Sequence, residues 1–535
     1  MNWHWTQAVS EVAKNRCMEN SNPERLFTEA EMANAIGPGV EGTNGCEARP
    51  KPRFKPINRQ QLIMRTLDVE RLVAVDHPVR AIWEMMGEVD LSGFEKEIRA
   101  VEGRAGQATL EPRLLGSLWV YAYSEGISSA RELSRMTEHD AGCQWLTGMS
   151  TVNHHTLSDF RVDFKAGLDG LFVQVLGLLS AAGLIELKQV MQDGTKIKAN
   201  AGKDTFRREQ RLREHLQLAE KQIREMGDPR SDAISQRVAK ARERALREKK
   251  EKLEVALEEL KKVRQTKAEK EASETRTSTS DPQARIMKNS DGGFVPAYNV
   301  QISTDAAHGI VLDVQAVQAA ADWDQLIPGV ERIEQNVGTM SQMIVDAGYT
   351  NRENIVAMAE RQIELIGPGP QKPMNRQRYD ERGIADGFHA DAFRYDEEAK
   401  HYVCPSGKIL RLTTRERHAG RIKFKYQARP SDCQSCPFRE QCCPKSRSRR
   451  ITRSEDSETV KAFIARMESE PAKQIYRKRA GVAEFVNAWL KDKIGLRQFR
   501  LRGLVKVQAE CVWAVLTYNI QQWIRLCWRR QFIAA

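Results

Sequence analysis

Hydrophobic periodicity changes repeatedly along these 535 residues, and those changes restrict the fold more than any other feature. From Arg59 to about Phe164, apolar residues recur every three or four positions in HPVRAIWEMM, PRLLGSLWVYAYSEG, SSARELSRMTEHDAGCQWL and HHTLSDFRVDF, which predicts helices. Leu168 to Ile185 continues in the same way. Leu187 to Asp193 is a short apolar run that reads as a strand ending in an aspartate. After Asp281 and Pro282 the period becomes two: Phe294, Tyr298, Val300 and Ile302 alternate with Val295, Ala297, Asn299 and Gln301, and the turn AAHG leads into IVLDVQAV, giving a hairpin. Met340 to Val345 is another strand running into an aspartate, Asp346. GYTNRENIVAMAERQ then reads as a helix capped by Thr350 or Asn351, and Ile363 to Ile366 as a strand. Helices dominate from Glu455 onward. Strands interleaved with helices put the chain in the α/β class with a mixed sheet.

Two stretches interrupt this pattern. Residues 203–272 are densely charged, with Leu212, Leu216, Ala219, Ile223 and Met226 at steps of four and three; GDPR at Gly227–Arg230 breaks the run before Leu246, Leu253, Leu257 and Leu260. That predicts a helical hairpin whose charges form a solvated face. From about Gln371 to Thr452 the chain reads as irregular, basic and cysteine-bearing.

With 84 Lys and Arg against 72 Asp and Glu, the net charge is +12, a field that attracts polyanions, nucleic acid first. The start, MNWHWTQAVSEVAKNR, has no basic-then-apolar leader pattern, so a cytoplasmic location is expected. The most apolar run, Leu171 to Leu187, is short for a bilayer and carries Gln174, so no membrane partner is expected.

Asp193 and Asp346 each follow an apolar run and have a glycine one or two residues on, which is expected to let the backbone turn sharply and the carboxylate face a cleft. Either one alone reads first as a turn or cap residue. A third acid changes the balance. Glu484 lies in YRKRAGVAEFVNAWLKDKIGLRQFRLRG, among more cations than it can neutralise, and Glu484, Asn487 and Lys491 form a polar stripe opposite Phe485, Val486, Trp489 and Leu490. Unpaired cations along one segment suit a phosphate backbone. Three carboxylates without histidine favour a hard cation such as Mg²⁺.

The residues QDGTKIKANA, SDPQARIMKNSDGGFVPAYNVQISTD and IVDAGYTNRENI, with the series Tyr476, Arg479, Glu484 and Lys491, resemble a bacterial insertion-sequence transposase of the DDE type. The resemblance runs from about Arg59 to Gln522. It implies an RNase H-like core in which Asp193, Asp346 and Glu484 hold Mg²⁺ or Mn²⁺. It also implies that Tyr476, Arg479, Lys491, Arg497, Arg500 and Arg502 lie against DNA. The domains it implies are a flexible arm (1–58), a helical DNA-binding domain (59–165), the start of the core (166–202), the helical-hairpin insertion (203–272), more core (273–370), the Cys-containing basic insertion (371–452) and a C-terminal helical part of the core (453–535). The helical domain is expected to read terminal inverted repeats, with Arg104, Arg113, Arg131, Arg135 and Arg161 as phosphate contacts. The reaction implied is cleavage at the element ends and joining of the 3′ hydroxyls to target DNA by a homodimer near the bacterial nucleoid. The alternatives are a nuclease that cleaves without joining, and a catalytically idle, transposon-derived DNA-binding protein.

Five of the ten cysteines lie between Cys404 and Cys443. Cys404, Cys433, Cys436 and Cys442 form a Zn²⁺ set of four thiolates, with Cys443 as a substitute for Cys442 and His401 or His418 as further ligands; free thiols are the plain alternative.

Overall fold

The computed structural model describes residues 60, 64, 66–95, 109–163, 165–225, 233–265, 272, 274–289, 292–370, 379, 381–418 and 421–533. The expected arm over 1–58, Arg104 and the GDPR break lie outside them. Two compact units divide the chain, Met1–Thr66 and Leu67–Ala535, and the elements below belong to the second.

The predicted helices are α1 (Pro78–Met85), α2 (Pro112–Ser124), α3 (Ala130–His139), α4 (Ala141–Thr147), α5 (His154–Asp163) and α6 (Lys165–Ala181). Proline opens α1 and α2, where its missing N–H costs nothing. Asp140 separates α3 from α4 because its carboxylate accepts from the Cys143 N–H at 2.9 Å. Strand β1 (Gln189–Lys198) follows, and then the charged hairpin α7 (Glu209–Glu225) and α8 (Ala233–Gln265). Its helices bury Leu212, Ala219, Leu253, Ala256 and Leu260 against each other. Glu259, only 3% exposed, ties the hairpin to the sheet through Arg285 at 2.5 Å.

Strands β2 (Arg285–Lys288), β3 (Phe294–Asp305) and β4 (Val311–Val317), helix α9 (Leu326–Asn336), strand β5 (Gln342–Ile344), helix α10 (Arg352–Glu360) and strand β6 (Glu364–Ile366) complete the first sheet. Its order is β2-β3-β1-β5-β6, with β4 also on β3. The β1–β3 pairing is antiparallel, and β1–β5 and β5–β6 are parallel, so the sheet is mixed as expected. Asn351 is the cap of α10, accepting from the Asn354 N–H at 2.8 Å.

The stretch read as irregular instead holds a five-stranded antiparallel sheet: β7 (Arg394–Asp396), β8 (His401–Val403), β9 (Ile409–His418), β10 (Arg421–Ala428) and β11 (Arg450–Asp456), ordered β11-β10-β9-β8-β7. RIKFKYQA does alternate apolar and polar residues at period two, a strand signal that the charge and cysteine content overshadowed, whereas ILRLTTRERH has no apolar position after Leu412 and most of β9 is exposed. Helices α11 (Glu458–Glu468), α12 (Glu470–Arg477), α13 (Arg479–Asp492) and α14 (Leu504–Trp523) follow.

Helix α14 is buried over most of its surface and packs against β4, α2 and α6. One apolar cluster therefore runs from Val79 and Trp119 through Tyr298 and Phe499 to Trp513 and Trp528, uniting the N-terminal helices with the first sheet. The run Leu171–Leu187 begins inside this cluster, and among the described residues no single helix is long and apolar enough to cross a membrane. Arg161, expected on phosphate, belongs to the same interior: it is 5% exposed, donates to the Ser128 carbonyl at 2.5 Å and lies 4.5 Å over the Trp119 ring.

Candidate active site

Asp193 is not at a strand end. Strand β1 continues to Lys198, with Thr195 and Ile197 buried beneath the charged residues that disguised it. Gly194 is likewise not a turn residue. A Cβ on it would lie 2.5 Å from Asp322 Oδ1 and 2.7 Å from Gln301 Nε2, so close approach of those groups requires glycine. Asp346 does follow its strand, and accepts from the Gly348 N–H at 2.8 Å.

The parallel register pairs Met191 with Ile344, so two residues further along each chain bring Asp193 and Asp346 side by side. Arg479, at the start of α13, reaches both: its Nη2 is 2.8 Å from Asp193 Oδ1 and 3.9 Å from Asp346 Oδ2. The Asn487 Nδ2 donates to Asp193 Oδ2 at 2.8 Å. Burial pushes the Asp193 carboxyl above its ordinary range; Arg479 opposes the shift and Asp346 adds to it. Tyr349, three residues after Asp346, is fully buried, and its phenol is held protonated by burial and by Asp322, Asp193 and Asp346.

Glu484 is not drawn into this group. It is exposed and has no hydrogen bond or ion pair among the described residues. It sits just under one turn before Asn487, about 60° round the helix, so the phase of α13 presents Asn487 and Arg479 to Asp193. Among the described residues, no three His, Cys, Asp or Glu side chains converge as a metal-holding group. Oxygen donors suited to a hard cation are nonetheless gathered here: Asp193, Asp346 and the Asn487 Oδ1, a buried acceptor with no partner among the described residues.

Of the residues expected against DNA, Tyr476 is half-buried against Met191, Ile344 and Ile366, and Lys491 is half-buried and partnered. Arg497, Arg500 and Arg502 are exposed. Their segment lies along the end of β1, with the Phe499 N–H donating to the Lys198 carbonyl at 2.9 Å. Arg502 reaches the Asn200 carbonyl at 3.0 Å, and Arg497 pairs with Asp492.

In the second sheet all five cysteines line one small cavity of about 20 Å³. Cys404 Sγ accepts from the Lys408 N–H at 3.2 Å and Cys433 Sγ from the Arg449 N–H at 3.4 Å. Burial pushes the Cys442 thiol up to about 12, and the nearby Cys443, Cys433 and Cys404 add to the shift.

Residues that the sequence reading did not single out are Asp322, Gln301, Lys196 and Tyr349, which lie in loops or in the polar rows of strands. The glycine after Asp193 was the available signal for Asp322, since it marks a close neighbour.

Two family models match: residues 403–524 match a transposase DDE domain, and residues 67–163 a transposase domain (DUF772). Both matched regions are similar to transposase domains, and the mixed α/β fold fits a DDE-type core. Together the two matches support an insertion-sequence DDE transposase. Glu484 lies within the first match; Asp193 and Asp346 lie outside both. No curated protein matches. A cryo-EM structure of a piggyBac transposase synaptic complex with hairpin DNA is similar over 86% of this chain and 77% of that one, at 7% identity and a TM-score of 0.30, too slight a likeness to carry an argument.

Proposed function

We propose that the chain binds the terminal inverted repeats of its own insertion sequence, cleaves the DNA at the element ends and joins the freed 3′ hydroxyls to target DNA. The reaction centre is Asp193, Asp346 and Glu484 in an RNase H-like core, working as a homodimer on DNA in the bacterial cytoplasm. The observation that carries this reading is the bridge from Arg479 to both Asp193 and Asp346, two carboxylates 153 positions apart that share one cationic group.

Mg²⁺ or Mn²⁺, when bound, supplies Lewis-acid stabilisation of a phosphodiester and acidifies water. The chain's own residues do the rest. Asp193 and Asp346, with the Asn487 Oδ1, offer the oxygen ligands, and Glu484, on the same helix as Asn487, is the third carboxylate of this reading. Arg479 neutralises Asp193, and its planar guanidinium suits it to hold a non-bridging phosphate oxygen. Lys491, Arg497, Arg500 and Arg502, together with Tyr476, line the path of the strand. In cleavage, a water oxygen bonds to phosphorus, the bond from phosphorus to the 3′ oxygen breaks, and that oxygen takes up a proton. In joining, the new 3′ hydroxyl attacks a target phosphorus, displaces that strand's 3′ oxygen and gives up its proton.

In the second sheet, Cys404, Cys433, Cys436 and Cys442 would serve as a structural Zn²⁺ set once drawn together: they line one cavity but do not converge as a metal-holding group in this structure.

The exposed Glu484 favours the idle DNA-binding reading, and one experiment separates the two. The purified full chain is incubated with DNA flanking its reading frame and Mg²⁺, and nicks and joined products are mapped. Metal-dependent nicks at the ends that vanish in Asp193→Ala and Glu484→Ala, followed by strand-transfer products, support the transposase reading. Specific end binding without nicks supports the idle protein, and nicks without joining support a nuclease.

A further inference from the structure

Behind the strand that carries Asp193 lies a polar ladder that the reaction scheme does not use. Gln192, Gly194 and Lys196 project to the face opposite Asp193 and pair in register with Ser303, Gln301 and Asn299 of β3. The Asp322 carboxylate, from the loop before α9, closes over this row. Its Oδ1 accepts from the Asn299 Nδ2 at 2.6 Å and the Gln301 Nε2 at 2.7 Å, and its Oδ2 lies 3.4 Å from the Lys196 Nζ. The other end of Gln301 accepts from the Tyr349 hydroxyl. The same loop holds the Asp346 turn a second time, since its Trp323 carbonyl accepts from the Asn351 Nδ2 at 2.6 Å and the Asn354 Nδ2 at 2.9 Å.

Two glycines register how closely this loop is drawn in. A Cβ on Gly194 would collide with the Asp322 carboxylate. A Cβ on Gly348 would lie 3.0 Å from Asp346 Oδ1 and 3.8 Å from Asp322 Oδ2, so both carboxylates flank one point. The loop thus closes on β1 one residue after Asp193 and bonds the 346–354 turn at Asn351 and Asn354.

We propose that Asp322 is a positioning residue: its carboxylate bonds β1 and β3 while the adjoining Trp323 carbonyl bonds the turn after β5, and this clasp fixes the separation of Asp193 and Asp346. Its partners are neutral amides and a lysine rather than the substrate, so it acts through the two aspartates. This rests on the proposed roles of Asp193 and Asp346. Loss of the clasp lets the turn drift relative to β1, which weakens the joint hold on a cation before it weakens the fold. Outer-shell partners of this kind typically change metal affinity or activity by about 10–100-fold.

The test uses the full chain, its own end DNA and a Mg²⁺ titration. Asp322→Ala is expected to bind end DNA within about 2-fold of the parent and to keep its circular dichroism spectrum. Its end cleavage should slow, and its half-maximal Mg²⁺ concentration should rise, by about 10-fold or more. Asp322→Asn keeps one acceptor for the amides and should recover part of both losses. Gly194→Ala should mimic Asp322→Ala, and the double variant should be no worse than the more impaired single, because both act on one contact. Parental cleavage and Mg²⁺ requirement in Asp322→Ala would overturn the proposal, as would a loss that merely tracks the unfolded fraction. Asp193→Ala is the control: if it still cleaves, the active-site reading fails; if it is inactive while Asp322→Ala is normal, only the clasp fails.

Discussion

The two large sheets of this protein are built from similar numbers of strands, six and five, and are held together by different means. The first is sandwiched between helices, and its interior is a continuous apolar cluster with Trp119, Tyr298, Phe499 and Trp513 fully or almost fully buried. The second has a cluster of eight buried residues, three of them cysteines. Around these, Tyr395, Tyr402 and Tyr426 pack ring to ring at 4.9 to 5.9 Å, and Arg449, 6% exposed, donates to the Phe388 and Cys442 carbonyls. A sheet with so small an interior cannot offset its ordering entropy by apolar burial alone, and polar contacts and thiols make up the difference.

The largest expected effect breaks the comparison from the second sheet's side. Chelation of the purified chain, or Cys433→Ser, should unfold β7–β11 while the first sheet stays folded, because zinc binding in small domains amounts to about 10 kcal/mol of folding free energy. Hydrogen exchange would show amides of β9 and β10 losing protection and those of β1 and β3 keeping it. Metal analysis should find one zinc per chain. Equal protection in both sheets after chelation would place the stability of the second sheet elsewhere.

Next comes the first sheet's own dependence on packing. Trp513→Ala removes a wholly buried indole from the helix that joins β4, α2 and α6, and should cost about 3–5 kcal/mol. Because the cluster is continuous, the N-terminal helices and the sheet should melt in one transition at a lower temperature. Two separate transitions would mean that the helices fold on their own.

This contrast also explains what could be read from the sequence. Elements of the first sheet are written in apolar periodicity, so β3, β4, β5 and α10 stand within a few residues of their expected places, and Asp193 and Asp346 could be singled out. Where burial is achieved by polar ladders, periodicity is silent: β1 was cut short at Asp193 because Lys196 and Lys198 follow, and Asp322 had no local mark at all. Its place depends on Asn299, Gln301 and Lys196, contacts made only once the sheet has formed. Helix phase is a third limit, since the polar stripe on α13 included both Glu484 and Asn487, and only packing shows which faces Asp193. The second sheet was legible only in part: RIKFKYQA alternates at period two, but its partner β9 has no apolar residue after Leu412.

A smaller effect concerns the join between the two regions. Asp456, at the end of β11, accepts from the Arg352 Nε of α10 at 2.6 Å and from the Arg421 Nε at 3.1 Å. These hydrogen bonds hold its carboxyl below the ordinary range. A depressed acid contributes stability above the unfolded carboxylate value of about 3.9, and that contribution is lost as pH falls through the folded value. Asp456→Asn should therefore cost about 1–3 kcal/mol at neutral pH and nothing in acid. Denaturant unfolding of the parent and the variant across that range checks the sign; a pH-independent difference would mean that Asp456 acts by shape rather than charge.

The smallest expected effect has the opposite sign, and it lies in the better-packed region. Asp193 is largely buried between Arg479 and Asn487, and burial raises its carboxyl despite the guanidinium. For an acid raised in the folded state, the favourable contribution is complete below the unfolded value and is lost as pH rises through the folded one, so at neutral pH the ionised group costs stability. In the metal-free chain, Asp193→Asn should raise the melting temperature at pH 7 by about 1 °C and lose the advantage in acid, while abolishing end cleavage. Adding Mg²⁺ should stabilise the parent and not the variant, since an ion that binds only the folded parent stabilises it by mass action. If the variant is less stable at neutral pH, the contacts from Arg479 and Asn487 outweigh desolvation, and Asp193 belongs to the scaffold as much as to the reaction.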